Sequence, residues 1–220
     1  MINILLFLLN FNGAIGFSGG YYNASLKELN TWLVKKGESR IHSNYIIGVE
    51  ARSSFLERFL VSVDGTWCPE KKSYDGKQSL EIKSVDGLFG YRIYLLPALL
   101  YFYINGGYEL ALVDYNRPAF DSLGIAIPAT DSNCTIPISG MMSGPVVKAS
   151  LKFIPTPRLA VEFSMGYKYV QSADLPDLPK DYETKQDSTQ APEWFDVPMN
   201  LSGLFFKVSF LREFGNILSY

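Results

Sequence analysis

Histidine and cysteine are almost missing from this chain: there is one histidine, His42, and two cysteines, Cys68 and Cys134, in 220 residues. A metal centre draws several such ligands together, so the sequence offers neither a metal site nor a cofactor. Charge is scarce as well, with 19% Asp, Glu, Lys and Arg and a formal net charge of -2, which argues against nucleic acid as a partner. A phosphate-binding loop or dinucleotide fingerprint is also lacking, because Gly87, Gly90, Gly106 and Gly107 stand in strand and turn contexts. Nor does any run supply the roughly twenty apolar residues of a membrane-crossing helix. The longest, Ile2–Phe11 and Ile93–Ile104, fall short, and Pro97 interrupts the second.

What the chain has in abundance is aromatic and aliphatic residues, 15% and 47% by the aromatic and hydrophobic counts, arranged with a period of two. In Val147–Phe153 the residues Val147, Ala149, Leu151 and Phe153 alternate with Lys148, Ser150 and Lys152. Leu159, Val161, Phe163, Met165, Tyr167 and Tyr169 alternate with Ala160, Glu162, Ser164, Gly166 and Lys168, and Leu204, Phe206, Val208 and Phe210 with Phe205, Lys207, Ser209 and Leu211. The same pattern runs through Gly13–Tyr22, Tyr45–Arg52, Phe59–Trp67 and Tyr108–Val113. Alternation of this kind marks strands with one apolar face. The stretch Leu80–Ile104 is apolar on both faces near its end and reads as one strand with a bulge near Asp86-Gly87 or Pro97.

Connections switch between short and long. Short links are expected at Ser53–Arg58, Asn105–Gly106 and Ile154–Arg158, and long ones at Asn23–Ser43, Cys68–Ser79, Asn116–Gly144 and Gln171–Asn200. Tight turns at one rim and long loops at the other, with an even strand number, are the pattern of an all-β, closed, antiparallel up-and-down transmembrane barrel of about eight strands. Residues 1–12 read as the remnant of a signal peptide, from the apolar run Ile4–Leu9, and residues 13–220 as the barrel.

Sidedness follows from cost. A lysine facing lipid at mid-membrane costs about 2–4 kcal/mol, so the charged face must point inward. The lumen set is Glu50, Arg52, Asp64, Glu109, Lys148, Lys152, Glu162, Lys168 and Lys207, together with Glu81 and Lys83. In a barrel of this size, mixed charges most simply form a salt-bridged plug, with an ion or substrate path as the other reading. Leu151, Phe163, Met165, Phe206 and Val208 would face lipid. Tyr21, Tyr45, Trp67, Tyr91, Tyr101, Tyr103, Tyr167 and Tyr169 would form interfacial girdles. The opposite sidedness would describe a soluble, lipocalin-like barrel carrying an apolar ligand.

On these patterns, and on the alternate apolar positions leading to Phe214, Leu218 and Tyr220, the chain resembles the small eight-stranded outer-membrane barrels of the OmpA and OmpX type. Asn216 and Arg212 break that C-terminal register. The resemblance implies a location in the bacterial outer membrane. It implies as partners the lipid and lipopolysaccharide of that membrane and the barrel-insertion machinery, and a monomeric state. The expected function is non-enzymatic: structural, adhesive or surface-binding through the long loops.

A few features stand apart from the strands. Ser25–Gly37 reads as an amphipathic helix with a Ser25/Glu28 capping box and a stripe of Leu26, Leu29, Trp32 and Leu33, either packed across the barrel mouth or lying on the membrane. His42-Ser43 invites comparison with lipid-modifying outer-membrane enzymes, but neighbouring strand residues point to opposite faces, so no catalytic residue is assigned. Cys68 and Cys134 fall in loops of the same rim, where a bridge and two separate thiols both fit the sequence. Ala173–Pro198, with four prolines, reads as an exposed loop that Trp194 and Phe195 return to the membrane interface.

Overall fold

The computed structural model describes residues 12–35, 39–41, 44–55, 58–72, 79–97, 99–118, 135–170 and 200–214. These form eight strands and one helix: β1 (Asn12–Ala24), α1 (Lys27–Lys35), β2 (Asn44–Phe55), β3 (Phe59–Lys72), β4 (Ser79–Leu96), β5 (Leu100–Pro118), β6 (Thr135–Thr156), β7 (Leu159–Lys168) and β8 (Gly203–Phe214). Each strand pairs antiparallel with the next, and β1 pairs with β8, so the sheet closes in sequence order. Closure leaves no sheet edge where all eight strands pair, as a β-structure immersed in lipid requires.

The period-two pattern sets the two faces. Along β8 the odd-numbered residues Phe205, Lys207, Ser209 and Leu211 are buried inside, and Leu204, Phe206 and Phe210 are exposed on the outer wall. Phe163 and Met165 stand outward from β7 at 56% and 53% exposure, whereas Glu162 is fully buried. Charges inside and exposed apolar side chains outside are the reverse of a ligand-carrying soluble barrel. On β5 the outward positions from Leu112 to Phe102 are apolar or glycine. Their roughly ten residue steps, at about 3.3 Å rise and about 40° tilt, give about 25 Å along the barrel axis, the height of an outer-membrane apolar band.

Several expectations need correction. Leu80–Ile104 is not one bulged strand: it is most of β4, turn positions at Pro97 and Leu99, and the start of β5, with the register irregularity between Tyr94 and Leu96. Asn105-Gly106 is no turn but lies in mid-β5, opposite Gly90 and Phe89. Pro97, which cannot donate a ladder hydrogen bond, marks the true reversal. Because β4 keeps strict alternation with Val85, Phe89 and Tyr91 outward, Glu81 and Lys83 also fall outside the barrel. Tyr101 and Tyr103 belong to no girdle, since both are buried inside.

The short links join β2 to β3, β4 to β5 and β6 to β7 at the rim that holds Asn12 and Phe214; the other four connections leave the opposite rim. Helix α1 lies in the first of these. It is shorter than the expected span, and the side chains of Glu28 and Trp32, like Gly37, fall outside the described residues. Leu26, Leu29 and Leu33 are buried in one cluster with Tyr22, Ile41, Ile46, Tyr115, Val170 and Leu201. The stripe is thus packed over the barrel mouth, the first of the two helix readings.

Candidate functional site: the charged interior and its cap

Strand parity delivers each charge to the interior. All nine lumen candidates, Glu50, Arg52, Asp64, Glu109, Lys148, Lys152, Glu162, Lys168 and Lys207, are buried, each with 7% exposure or less. A tenth, Asp86, joins them. Its face was readable from Val85 and Phe89 on either side, but the ambiguity over residues 80–104 hid it. The buried charges then balance, with Arg52, Lys148, Lys152, Lys168 and Lys207 against Glu50, Asp64, Asp86, Glu109 and Glu162.

They fall into three groups along the axis. Near the short turns, Arg52 Nη1 donates to Glu162 Oε2 at 2.5 Å and its Nη2 pairs with Glu50, while Lys152 pairs with Glu213. The Tyr103 ring lies between the two cations, 5.6 Å from Arg52 and 5.9 Å from Lys152. In the middle, Lys148 and Lys207 both donate to Asp64 Oδ2, at 2.9 and 2.8 Å, and Lys148 also reaches Glu50 Oε1 at 3.4 Å. Ser209 donates to Glu50, and Ser164 to Glu162. Towards the loop rim, Lys168 pairs with Glu109 at 2.8 Å and Asp86 at 3.2 Å. The Phe205 ring separates the last two groups, 5.7 Å from Lys168 and 5.8 Å from Lys207.

Above them the cap begins. The Tyr22 hydroxyl donates to the Leu201 carbonyl, and the Ser25 N–H to the Ser202 carbonyl at 2.6 Å. The Asn30 side chain clamps the returning chain through both backbone groups of Ile41, at 2.9 and 2.8 Å. Interior carboxylates therefore spend their charge on lysine and arginine partners, beneath an apolar lid. This arrangement braces the barrel.

Glu81 and Lys83 instead form an outer patch at the loop end of the apolar band. Lys83 lies 3.0 Å from Glu81 and 3.6 Å from Asp114, Trp67 Nε1 donates to Glu81 at 2.6 Å, and Ser139 donates to Asp114 at 2.7 Å. Cys68 is half-buried against the capping cluster. Cys134, His42, Ser43, Trp194 and Phe195 lie outside the described residues, so the disulfide, the His-Ser pair and the interfacial loop do too.

No protein-family model matches the chain, and no curated protein does either. Among solved structures, Neisserial surface protein A is similar at a TM-score of 0.52 and 9% identity, over 94% of this chain and 97% of that one. The outer membrane protein OprG from Pseudomonas aeruginosa is similar at a TM-score of 0.53 and 9% identity, over 94% and 96%. At such identity the likeness is one of architecture, and on it the chain has the fold of the small eight-stranded outer-membrane barrels.

Proposed function

We propose that this chain is an integral protein of the bacterial outer membrane that works without catalysis, presenting its long-loop rim for adhesion or surface binding. One observation carries the reading. An apolar outer wall encloses an interior filled by balanced ion pairs and capped by α1, which leaves the loop rim as the part able to meet a partner. Its immediate surroundings would be outer-membrane lipid and lipopolysaccharide, reached through the barrel-insertion machinery, and the barrel would act as a monomer.

The test is fractionation followed by planar-bilayer recording. The protein should need detergent for release and, once inserted, show no sustained conductance. Release into a soluble fraction would overturn the membrane location, and a stable open channel would replace surface binding with a pore. Turnover of labelled lipopolysaccharide, lost in His42→Ala, would overturn the non-enzymatic part.

A further inference from the structure

The cations are sorted by type along the barrel axis. Of the thirteen lysines, Lys148, Lys152, Lys168 and Lys207 are inside, and the other nine belong to the long connections or to the strand ends leading into them. The rim of short turns has instead four of the seven arginines: Arg58, Arg92, Arg158 and Arg212. Two carboxylates share this rim in the sequence, Glu57, outside the described residues, and Glu213, which Lys152 neutralises. The rim is therefore positive, and its charge is guanidinium, which matches phosphate in a planar fork and packs on aromatic rings.

At β2, β3 and β4 this chemistry is built into a structure. Phe55, Phe59 and Phe89 pack together on the outer wall, with ring centroids 5.7 to 6.1 Å apart, and Tyr91 meets Phe59 edge-on at 5.7 Å. Arg58 lies at the membrane-boundary end of this cluster, exposed, and donates from Nη1 to the Tyr91 hydroxyl at 2.8 Å. Arg92 is across the strand pair, its N–H bonded to the Arg58 carbonyl at 2.7 Å. A guanidinium held at headgroup level above a broad aromatic platform is complementary to a molecule with a phosphate at one end and hydrocarbon at the other.

We propose that this rim carries a binding site for an anionic phospholipid, with its phosphate at Arg58 and Tyr91 and an acyl chain against Phe55, Phe59 and Phe89. The proposal rests on the membrane reading given above. Since the short-turn rim of such barrels faces the periplasm, the lipid comes from the inner leaflet.

The test is native mass spectrometry of the full chain folded in detergent with equal amounts of phosphatidylglycerol and phosphatidylcholine. Insertion of each protein into neutral vesicles is scored in parallel. Wild type should retain phosphatidylglycerol about tenfold better, the scale of one or two charge-assisted hydrogen bonds. Arg58→Gln should bring the two lipids near parity, and Tyr91→Phe, which keeps the charge but removes the hydroxyl to which Arg58 donates, should lower the preference severalfold. Arg212→Gln, on β8, should leave it unchanged. Equal retention by wild type, or an unaltered preference in Arg58→Gln and Tyr91→Phe, overturns the site while the membrane reading stands. Should Arg58→Gln fail to fold, Tyr91→Phe alone decides. Loss of the preference on adding inorganic phosphate would mean that the rim reads phosphate alone, and the lipid site falls. Failure of wild type to insert into any vesicle overturns both readings.

Discussion

Lys148 on β6 reaches Asp64 on β3 across the interior, Nζ to Oδ2, at 2.9 Å, with both side chains at 1% exposure. The two residues belong to strands that do not pair with each other. Arg52 to Glu162 spans β2 to β7 in the same way, and Lys207 to Asp64 spans β8 to β3. A closed sheet has hydrogen bonds only along its wall, so these ion pairs tie opposite walls against flattening. Removing one partner of a buried pair is costly because the other charge stays buried.

Asp64→Asn removes the negative charge that two buried lysines share and should cost about 3–5 kcal/mol. Lys207→Gln should cost clearly less, because Lys148 still holds the carboxylate. Urea unfolding of the vesicle-inserted protein measures both, and equal losses would show that Asp64 is not the common anchor. The double variant should destabilise by less than the sum, since both changes touch one network.

Lipid-face substitutions should follow depth. Phe163→Arg and Phe206→Arg place a cation on the outer wall, where exposure is 56% and 48%, at a cost of about 2–4 kcal/mol near mid-membrane. Folding yield in vesicles should drop for both. Phe214→Arg, at the short-turn rim, should be mild, as the cost falls to about 0–1 kcal/mol near the interface. Yields independent of depth would argue that no bilayer contacts this wall.

The alternation that exposes Phe163 and buries Glu162 was legible in the sequence because β7 and β8 carry one residue type per face. Legibility failed where that contrast vanished. From Leu95 to Ile104 both faces are apolar, so neither the turn at Pro97 nor the inward course of Tyr101 and Tyr103 could be read. Tyr103 there does the work of charge by lying against both Arg52 and Lys152, a pairing across strands that no local pattern encodes. The balance of charge inside is half visible: strand parity marks nine of the ten residues and misses Asp86, and which lysine meets which carboxylate depends on barrel closure, 84 positions apart for Lys148 and Asp64.

Glycines on β1 should be as critical as any charge. An added Cβ at Gly20 would come within 1.9 Å of the Phe206 carbonyl oxygen, and at Gly16 within 2.0 Å of that of Phe210, both on β8. β1 and β8 are the first and last of the described strands, and their pairing closes the barrel. Gly20→Ala should slow the appearance of the compact, heat-modifiable band on gels, whereas Gly87→Ala, with open space around it, should not. Equal rates would mean that the seam relaxes to admit a side chain.

Two layers close the lumen, the α1 cap and the ion pairs below it, and they should come apart under mutation. Leu29 and Leu33 are fully buried in the capping cluster. Leu29→Asp sets a carboxylate among Tyr22, Ile46, Val170 and Leu201, a change that should release α1 while leaving the strand ladder intact. Limited proteolysis should then cut within the β1–β2 connection at a much greater rate, with the heat-modifiable band preserved. Planar-bilayer conductance should stay absent, because Lys168, Asp86 and Glu109 still fill the interior beneath the cap. Adding Glu109→Gln and Lys168→Met should leave it absent too, because the ion pairs of Arg52 with Glu162 and of Lys148 and Lys207 with Asp64 still fill the interior nearer the short turns. Conductance from Leu29→Asp alone would mean that the helix is the sole seal and that the charged interior leaves room for ions to pass.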